Sequence, residues 1–374
     1  MKKWLRTLTM TAAAVVALTA CGAGEEEGTT DEAAPSEEPA ENEATPDAED
    51  FTVAMVTDVG GIDDKSFNQS AWEGLTAFGE EMGLEEGTGY RYLQSATMDD
   101  FEPNIRTLVR EEANLVWGIG YLMEDAVKTI AEQVEDAQIA IVDTVVTDGD
   151  GNPYSNVANV TFKEHEGSFL VGVVAGLQTK GNKVGFVGGV ESELIKKFES
   201  GFKAGVKAVN PDAEILTQYT ESFNDATRGQ QIANNMYGQG ADIIYHAAGG
   251  AGNGVFQEAI NRARNGEEVW VIGVDRDQHE EGVSGDVSVT LTSMVKRVDT
   301  AVYLVSERTM SGDFPGGEIL EYGLEEDAVG IAPTTDNVPQ EALDAVDEYK
   351  VQIQDGEISV PQTDEEYEEY LSSL

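Results

Sequence analysis

The sequence predicts an α/β protein: two doubly wound parallel-sheet lobes that face each other across a ligand cleft. Three observations lead there. Short β-rich runs alternate with amphipathic helical stretches, the pattern of right-handed βαβ units and parallel sheets. The alternation falls into two sets. Aspartates and glycines then stand where the β-rich runs end, the edge at which open α/β sheets bind their ligands.

The first set of strand candidates is FTVAMVT (51–57), YRYLQSA (90–96), NLVWGIG (114–120) and QIAIVD (138–143). The second is KVGFVGG (183–189), AEILTQYT (213–220), ADIIYHAA (241–248) and EVWVIGVD (268–275). Helices are expected between them at 66–82, 102–113, 123–136, 192–209, 226–238 and 254–265. In the fourth of these, Ile195, Phe198, Phe202 and Val206 recur at three- and four-residue spacing and make one apolar face. The sets part near NVANVTFKEHEG (156–167). Beyond Asp275 come a β-rich run, VSVTLTSM (287–294), and a helical stretch, VKRVDTAVYLVSERTM (295–310). The acidic part from about Thr335 reads as one or two helices whose docking the pattern leaves open. One lobe is expected to comprise 51–160 with about 277–310, the other 161–276 with about 311–374. Asp58, Gly118, Asp143, Gly188, Gly249 and Asp275 fall at strand ends.

The chain has 374 residues, and its first fifty belong to neither lobe. Lys2, Lys3 and Arg6 precede a mostly apolar run of about ten residues, too short to span a bilayer but suited to a secretory signal peptide over 1–20. That run ends in L-T-A-C (18–21), which resembles a bacterial lipobox, with Cys21 as the acylated first residue of the mature chain. Cys21 is the only cysteine, so no disulfide framework claims it. Residues 22–50 hold twelve Asp or Glu and no Lys or Arg. Such a segment cannot bury enough apolar surface to offset its ordering entropy, and 21–50 is expected to be a disordered acidic tether. From residue 51 onward 20 basic residues stand against 59 acidic ones, a net charge of −39. This excess argues against nucleic acid as a partner, since its binding rests chiefly on Lys and Arg contacts to phosphate.

The stretch TDVGGIDDKSFNQSAWEGL (57–75) sets two acids, Asp63 and Asp64, in a glycine-bearing loop ahead of Phe67 and Asn68. A calcium-dependent nucleoside hydrolase would need a D-x-D-x-G-x-D-D-like loop here. GIDD (61–64) fits the second half, but Thr57 and Val59 occupy the positions of the first two aspartates. Calcium takes about six to eight oxygen ligands, and a valine side chain supplies none. Asp63 or Asp64 is expected instead to cap the helix that begins near Ser66. His165, His246 and His279 are scattered without H-E-x-x-H spacing, and no G-x-S-x-G elbow is present. In GGAGNG (249–254) the glycines allow close backbone approach at a helix N-terminus. No catalytic residue, metal or cofactor is expected.

At this point DVGGIDDKSFNQSAWEG resembles the signature of the basic membrane protein family of lipoproteins, also called PnrA-like or Med. So do KFESGFKAGV (197–206), HAAGGAGNGVFQEA (246–259), VIGVDRDQ (271–278) and LTSMVKRVDTAVY (291–303), in the same order and spacing, over most of residues 51–333. The resemblance implies a type I periplasmic-binding-protein fold and capture of purine or other nucleosides for an ABC importer with its permease and ATPase. It also implies roles. Asp58 and Asn68 would hydrogen-bond the ligand, Phe67 and Phe198 would sandwich its base, and Asp143 would face the base edge. Asp275 and Lys296 would grip the ribose hydroxyls with help from the backbone at Gly250. Each residue also has a plainer reading: Phe198 as core, Asp58 and Asp143 as caps, Lys296 beside Arg297 as a solvated pair. Two functions stay open on sequence, a membrane-tethered importer component and a surface protein that senses or attaches without transport; an enzyme is third.

Overall fold

The computed structural model describes residues 51–374; the expected signal peptide, Cys21 and tether lie outside the described residues. The first lobe opens with β1 (Val53–Val56), α1 (Phe67–Met82), β2 (Tyr90–Leu93), α2 (Phe101–Arg110), β3 (Leu115–Gly118), α3 (Glu124–Gln133), β4 (Ile139–Val142) and β5 (Val157–Phe162). The second holds α4 (Glu164–Gln178), β6 (Lys183–Gly188), α5 (Glu193–Val209), β7 (Glu214–Tyr219), α6 (Ala226–Gly238), β8 (Ile243–Ala247), α7 (Asn253–Arg264) and β9 (Trp270–Asp275). A short hairpin, β10 (Val283–Ser284) with β11 (Val287–Ser288), leads to β12 (Thr290–Lys296) and α8 (Val298–Met310). Last come β13 (Ile319–Tyr322), β14 (Val329–Ile331), α9 (Gln340–Gln354) and α10 (Asp364–Ser373).

Two six-stranded sheets result, ordered β13-β5-β4-β3-β1-β2 and β14-β12-β9-β8-β6-β7. Every pairing within them is parallel except β12 with β14. The strands β1, β3 and β4 are buried along their whole length, as strands covered by helices on both faces must be. That coverage is why they read in sequence as unbroken apolar runs.

The lobe boundaries differ from the expected ones. The chain passes between lobes three times: after β5, after β12 and after β13. Residues 290–296 stay in the second lobe, because β12 pairs with β9 from Thr290↔Val271 to Val295↔Asp275. The helix α8 then packs on α1 in the first lobe, so closely that a Cβ on Gly74 would stand 2.1 Å from the Asp299 carbonyl oxygen. The strand β13 closes the first sheet by pairing Ile319–Tyr322 with Asn159–Phe162, and β14 returns the chain to the second. Residues 277–310 are thus shared between the lobes, and so are 311–374.

The C-terminal helices dock on the second lobe. The Tyr349 ring of α9 meets Phe169 of α4 at 5.3 Å, and the Lys203 ammonium of α5 lies 4.3 Å from the centre of the Tyr367 ring of α10. Beneath them α4 and α5 pack backbone to backbone. A Cβ on Gly201 would come within 2.2 Å of the His165 carbonyl oxygen, and one on Gly205 within 2.0 Å of that of Phe169. No side chain fits there. We therefore expect Gly205→Ala to destabilise the protein by about 1–3 kcal/mol, the usual cost of overpacking. Gly238→Ala, at an exposed helical position with nothing within 4 Å, should be neutral or stabilise by up to about 1 kcal/mol. Urea denaturation of both variants measures the difference; equal midpoints would contradict the packing described.

Candidate functional site

The carboxyl edges of both sheets meet at one cleft, and the side chains leaving those edges line a cavity of about 550 Å³ counted with its mouth. The first lobe supplies Asp58 just beyond β1, Phe67 and Asn68 in the first turn of α1, Tyr121 after β3 and Asp143 after β4. From the second come Phe198 on α5, Phe223 in the β7–α6 loop, Gly249 after β8, and Asp275 and Lys296 at the ends of β9 and β12. Of the eight residues given ligand contacts by the family resemblance, all but Gly250 line the cavity. A Cβ on Gly250 would lie 3.6 Å from the Cβ of Asp64, so Gly250 faces the seam between lobes rather than the cavity.

The loop of residues 57–66 is built by Asp64. This buried carboxylate accepts from the backbone N–H of Ser66 (2.8 Å), Asn68 (2.9 Å) and Gln69 (3.1 Å), closing the start of α1. Asp63 beside it is exposed. Among the described residues no group of three or more His, Cys, Asp or Glu could hold a metal ion.

The Asn68 amide is committed to the protein. Its nitrogen donates to Asp58 Oδ1 (2.7 Å) and Asp64 Oδ2 (3.0 Å), and its oxygen accepts from the Asp58 N–H (3.1 Å). Asn68 therefore fixes Asp58 in place, where sequence had suggested a direct ligand contact. The Gly60 N–H donates to the same Asp58 Oδ1 at 2.7 Å. Burial pushes the Asp58 carboxyl up to about 6, against these hydrogen bonds.

Lys296 is the one Lys or Arg in the cavity wall among the described residues. It is buried, with only 1% of its surface exposed, so it is no solvated pair with Arg297. Its Nζ lies 2.7 Å from Asp143 Oδ2 and 3.4 Å from Glu164 Oε1. The rings of Phe67, Phe162 and Phe198 surround it at 5.0, 5.2 and 5.5 Å. Burial opposes its charge, yet Asp143, Glu164 and Asp275 together raise it to about 12. Asp275 is pushed up to about 7 by burial, while Lys296 and the Ser66 hydroxyl, which donates to Asp275 Oδ2, pull it down. Asp143 and Asp275 both take left-handed backbone, with φ of 72° and 66°. Aspartate tolerates this region better than most residues, and the turn comes where each strand ends at the cavity.

Phe198 satisfies both of its sequence readings, since it is buried on the apolar face of α5 and its ring lines the cavity. Sequence reasoning passed over Tyr121 and Phe223. Their rings meet edge to face across the lobes at 6.3 Å and 84°. Tyr121 follows Gly120 directly after β3, so the strand-end rule could have found it. Phe223 sits in a short loop that carries no periodicity.

The rim of the cleft is closed by the second lobe grasping carbonyls of the 59–65 loop. Asn224 donates to the Val59 oxygen (3.1 Å), Asn253 to that of Asp64 (3.0 Å) and Gln278 to that of Lys65 (2.8 Å). Arg276 adds a two-point ion pair to Glu73 at 2.9 and 2.6 Å.

Comparison with known proteins agrees with this architecture. The family described as ABC transporter substrate-binding protein, PnrA-like, matches residues 51–364. A CD4+ T-cell-stimulating antigen of Listeria innocua is 54% identical, covering 84% of this chain and 89% of its own. The ABC transporter nucleoside-binding protein BmpA of Lactococcus lactis is 42% identical, covering 83% and 89%. Among solved structures, an ABC transporter solute-binding protein from Aeropyrum pernix has a TM-score of 0.75 at 25% identity, covering 86% of this chain and 98% of its own. The chain belongs to the PnrA-like, basic membrane protein family of ABC transporter substrate-binding proteins, whose members bind a solute and are not enzymes.

Proposed function

We propose that this protein is a lipid-anchored component, held outside the cytoplasm, that captures nucleosides between its lobes and hands them to the permease and ATPase of an ABC importer. The observation that carries the nucleoside reading is the pairing of apolar rings with carboxylates in one buried cavity. Phe67 and Phe198 reach it from opposite lobes, and a planar base stacked between rings gains about 1–3 kcal/mol per contact whatever its identity. Asp58, Asp143 and Asp275 supply acceptors for ribose hydroxyls and base N–H groups. The name of the Lactococcus lactis relative supports the same ligand class.

The charge pattern favours the nucleoside over its phosphate ester. Lys296 is already held by Asp143 and Glu164, and the remaining ionisable groups of the wall are acids or Tyr121. Two like charges 4 Å apart repel by about 4 kcal/mol at an effective dielectric of 20. A phosphate that met one of these aspartates in its ionised form would lose binding by roughly several hundredfold.

Phe67→Ala and Phe198→Ala are each expected to weaken binding of adenosine or inosine by about 1–3 kcal/mol, roughly 5- to 150-fold. Calorimetry on folded variants decides the point; unchanged affinity for Phe198→Ala would return that ring to a packing role. The anchor is tested separately. Intact mass of protein extracted from membranes should show Cys21 as an acylated N-terminal residue with 1–20 removed, and an unmodified Cys21 still carrying the leader would overturn it.

A further inference from the structure

We propose that Glu164, a buried carboxylate outside the cavity wall, is a positioning residue that holds the Lys296 ammonium to one oxygen of Asp143 and so leaves the other oxygen for a ligand. The proposal rests on reading the cleft as a nucleoside site. Glu164 is the first residue of α4, directly after the chain passes from β5 into the second lobe, and none of its surface is exposed.

Four ionisable side chains, acid alternating with base, run outward from the cavity: Asp143, Lys296, Glu164 and Lys197; burial pushes the Glu164 carboxyl up, while Lys296 and Lys197 pull it down and favour its charge. Lys296 Nζ is 2.7 Å from Asp143 Oδ2 and 3.4 Å from Glu164 Oε1, and Glu164 Oε2 is 3.5 Å from Lys197 Nζ. Lys197 is half-buried and also donates to the Phe162 carbonyl at 3.4 Å, which anchors the outer end of the row. Asp143 Oδ1 is buried and makes no hydrogen bond among the described residues. Lys296 thus stands between two carboxylates that pull it in different directions, with aromatic rings around it.

Without the charge on Glu164, Asp143 would be the one charged carboxylate within 4 Å of the ammonium among the described residues. The ammonium has three donors and would bridge both Asp143 oxygens. The oxygen that faces no protein donor would then be taken, and a ligand N–H or O–H would lose its acceptor. Glu164 touches no ligand in this account; it acts through Lys296.

Calorimetry with inosine on the full mature chain tests this. Glu164→Gln should weaken binding about tenfold, as for the loss of one hydrogen bond to a charged group. The same substitution in a Lys296→Met background should change affinity by less than about twofold, because no ammonium remains to be held. Should Glu164→Gln fail to fold, Glu164→Asp keeps the charge one methylene shorter and should cost about threefold, again only when Lys296 is present. Nitrogen-15 NMR of the lysine ammonium groups needs no ligand. The Lys296 signal, identified by its loss in Lys296→Met, should move in Glu164→Gln or Glu164→Asp. Affinity within twofold of the parent, equal losses with and without Lys296, or an unmoved Lys296 signal overturns the proposal. If the parent binds no nucleoside, the nucleoside reading fails on its own, and the NMR shift decides the role of Glu164.

Discussion

An ammonium taken out of water needs a carboxylate beside it, and Lys296 at the end of β12 finds one 2.7 Å away across the cleft, on Asp143 of the other lobe. Burying each charge costs several kcal/mol even after the protein relaxes, a cost offset here by the short Lys296–Asp143 contact and by Glu164 on the other side of the ammonium. Separating the lobes would return both charges to water and break the pair. The pair therefore ties the floor of the cleft together, while neutral hydrogen bonds to loop carbonyls and the Arg276–Glu73 pair tie the rim. A ligand that fits between floor and rim is enclosed by both lobes at once.

The packing of α4 on α5 keeps this floor in register. Glu164 begins α4, and Lys197 and Phe198 sit on α5. The two helices meet through glycines at Gly201 and Gly205, where a Cβ would strike the facing backbone. Helices whose backbones touch have little room to slide, because interiors packed at crystal-like density deform in steps rather than smoothly. Part of the ion row, and the aromatic ring beside it, thus share one rigid unit. The remaining charges arrive on strand ends, where sheet hydrogen bonds fix the backbone and a left-handed turn at Asp143 and Asp275 aims each side chain.

Much of this was legible in the sequence, for physical reasons that also explain the gaps. Strands such as β1 and β4 read clearly because burial on both faces demands unbroken apolar runs. The β5 segment passed as a boundary because it carries Asn159, which is wholly buried yet hydrogen-bonded, accepting from the Val146 N–H and donating to the Glu318 and Val157 carbonyls. Similarly, β13 is an edge strand of exposed and half-buried residues, ILEY, with no apolar signal. Missing it displaced the lobe boundaries, since the passages of the chain between sheets are set by pairing partners far away in sequence. In the site, Asp58, Asp143, Asp275 and Lys296 were found by the strand-end rule and the family motifs. The commitment of Asn68 to Asp58 and Asp64, by contrast, depends on three side chains closing one network. Residue types alone do not say whether an amide faces a ligand or a neighbouring carboxylate.

On the nucleoside reading, the cleft accepts a neutral molecule with a stacking base and a hydroxylated sugar. Thermal unfolding of the mature chain with adenosine, guanosine and inosine, set beside their free bases, ribose and their 5′-monophosphates, tests it most directly. A ligand present at about 100 times its dissociation constant adds about 2.7 kcal/mol, which in a body of this size raises the midpoint by several degrees. That rise is expected for one or more nucleosides, with ribose and the monophosphates leaving the midpoint unmoved. Stabilisation by the monophosphates equal to that by the nucleosides, or by ribose alone, would contradict it.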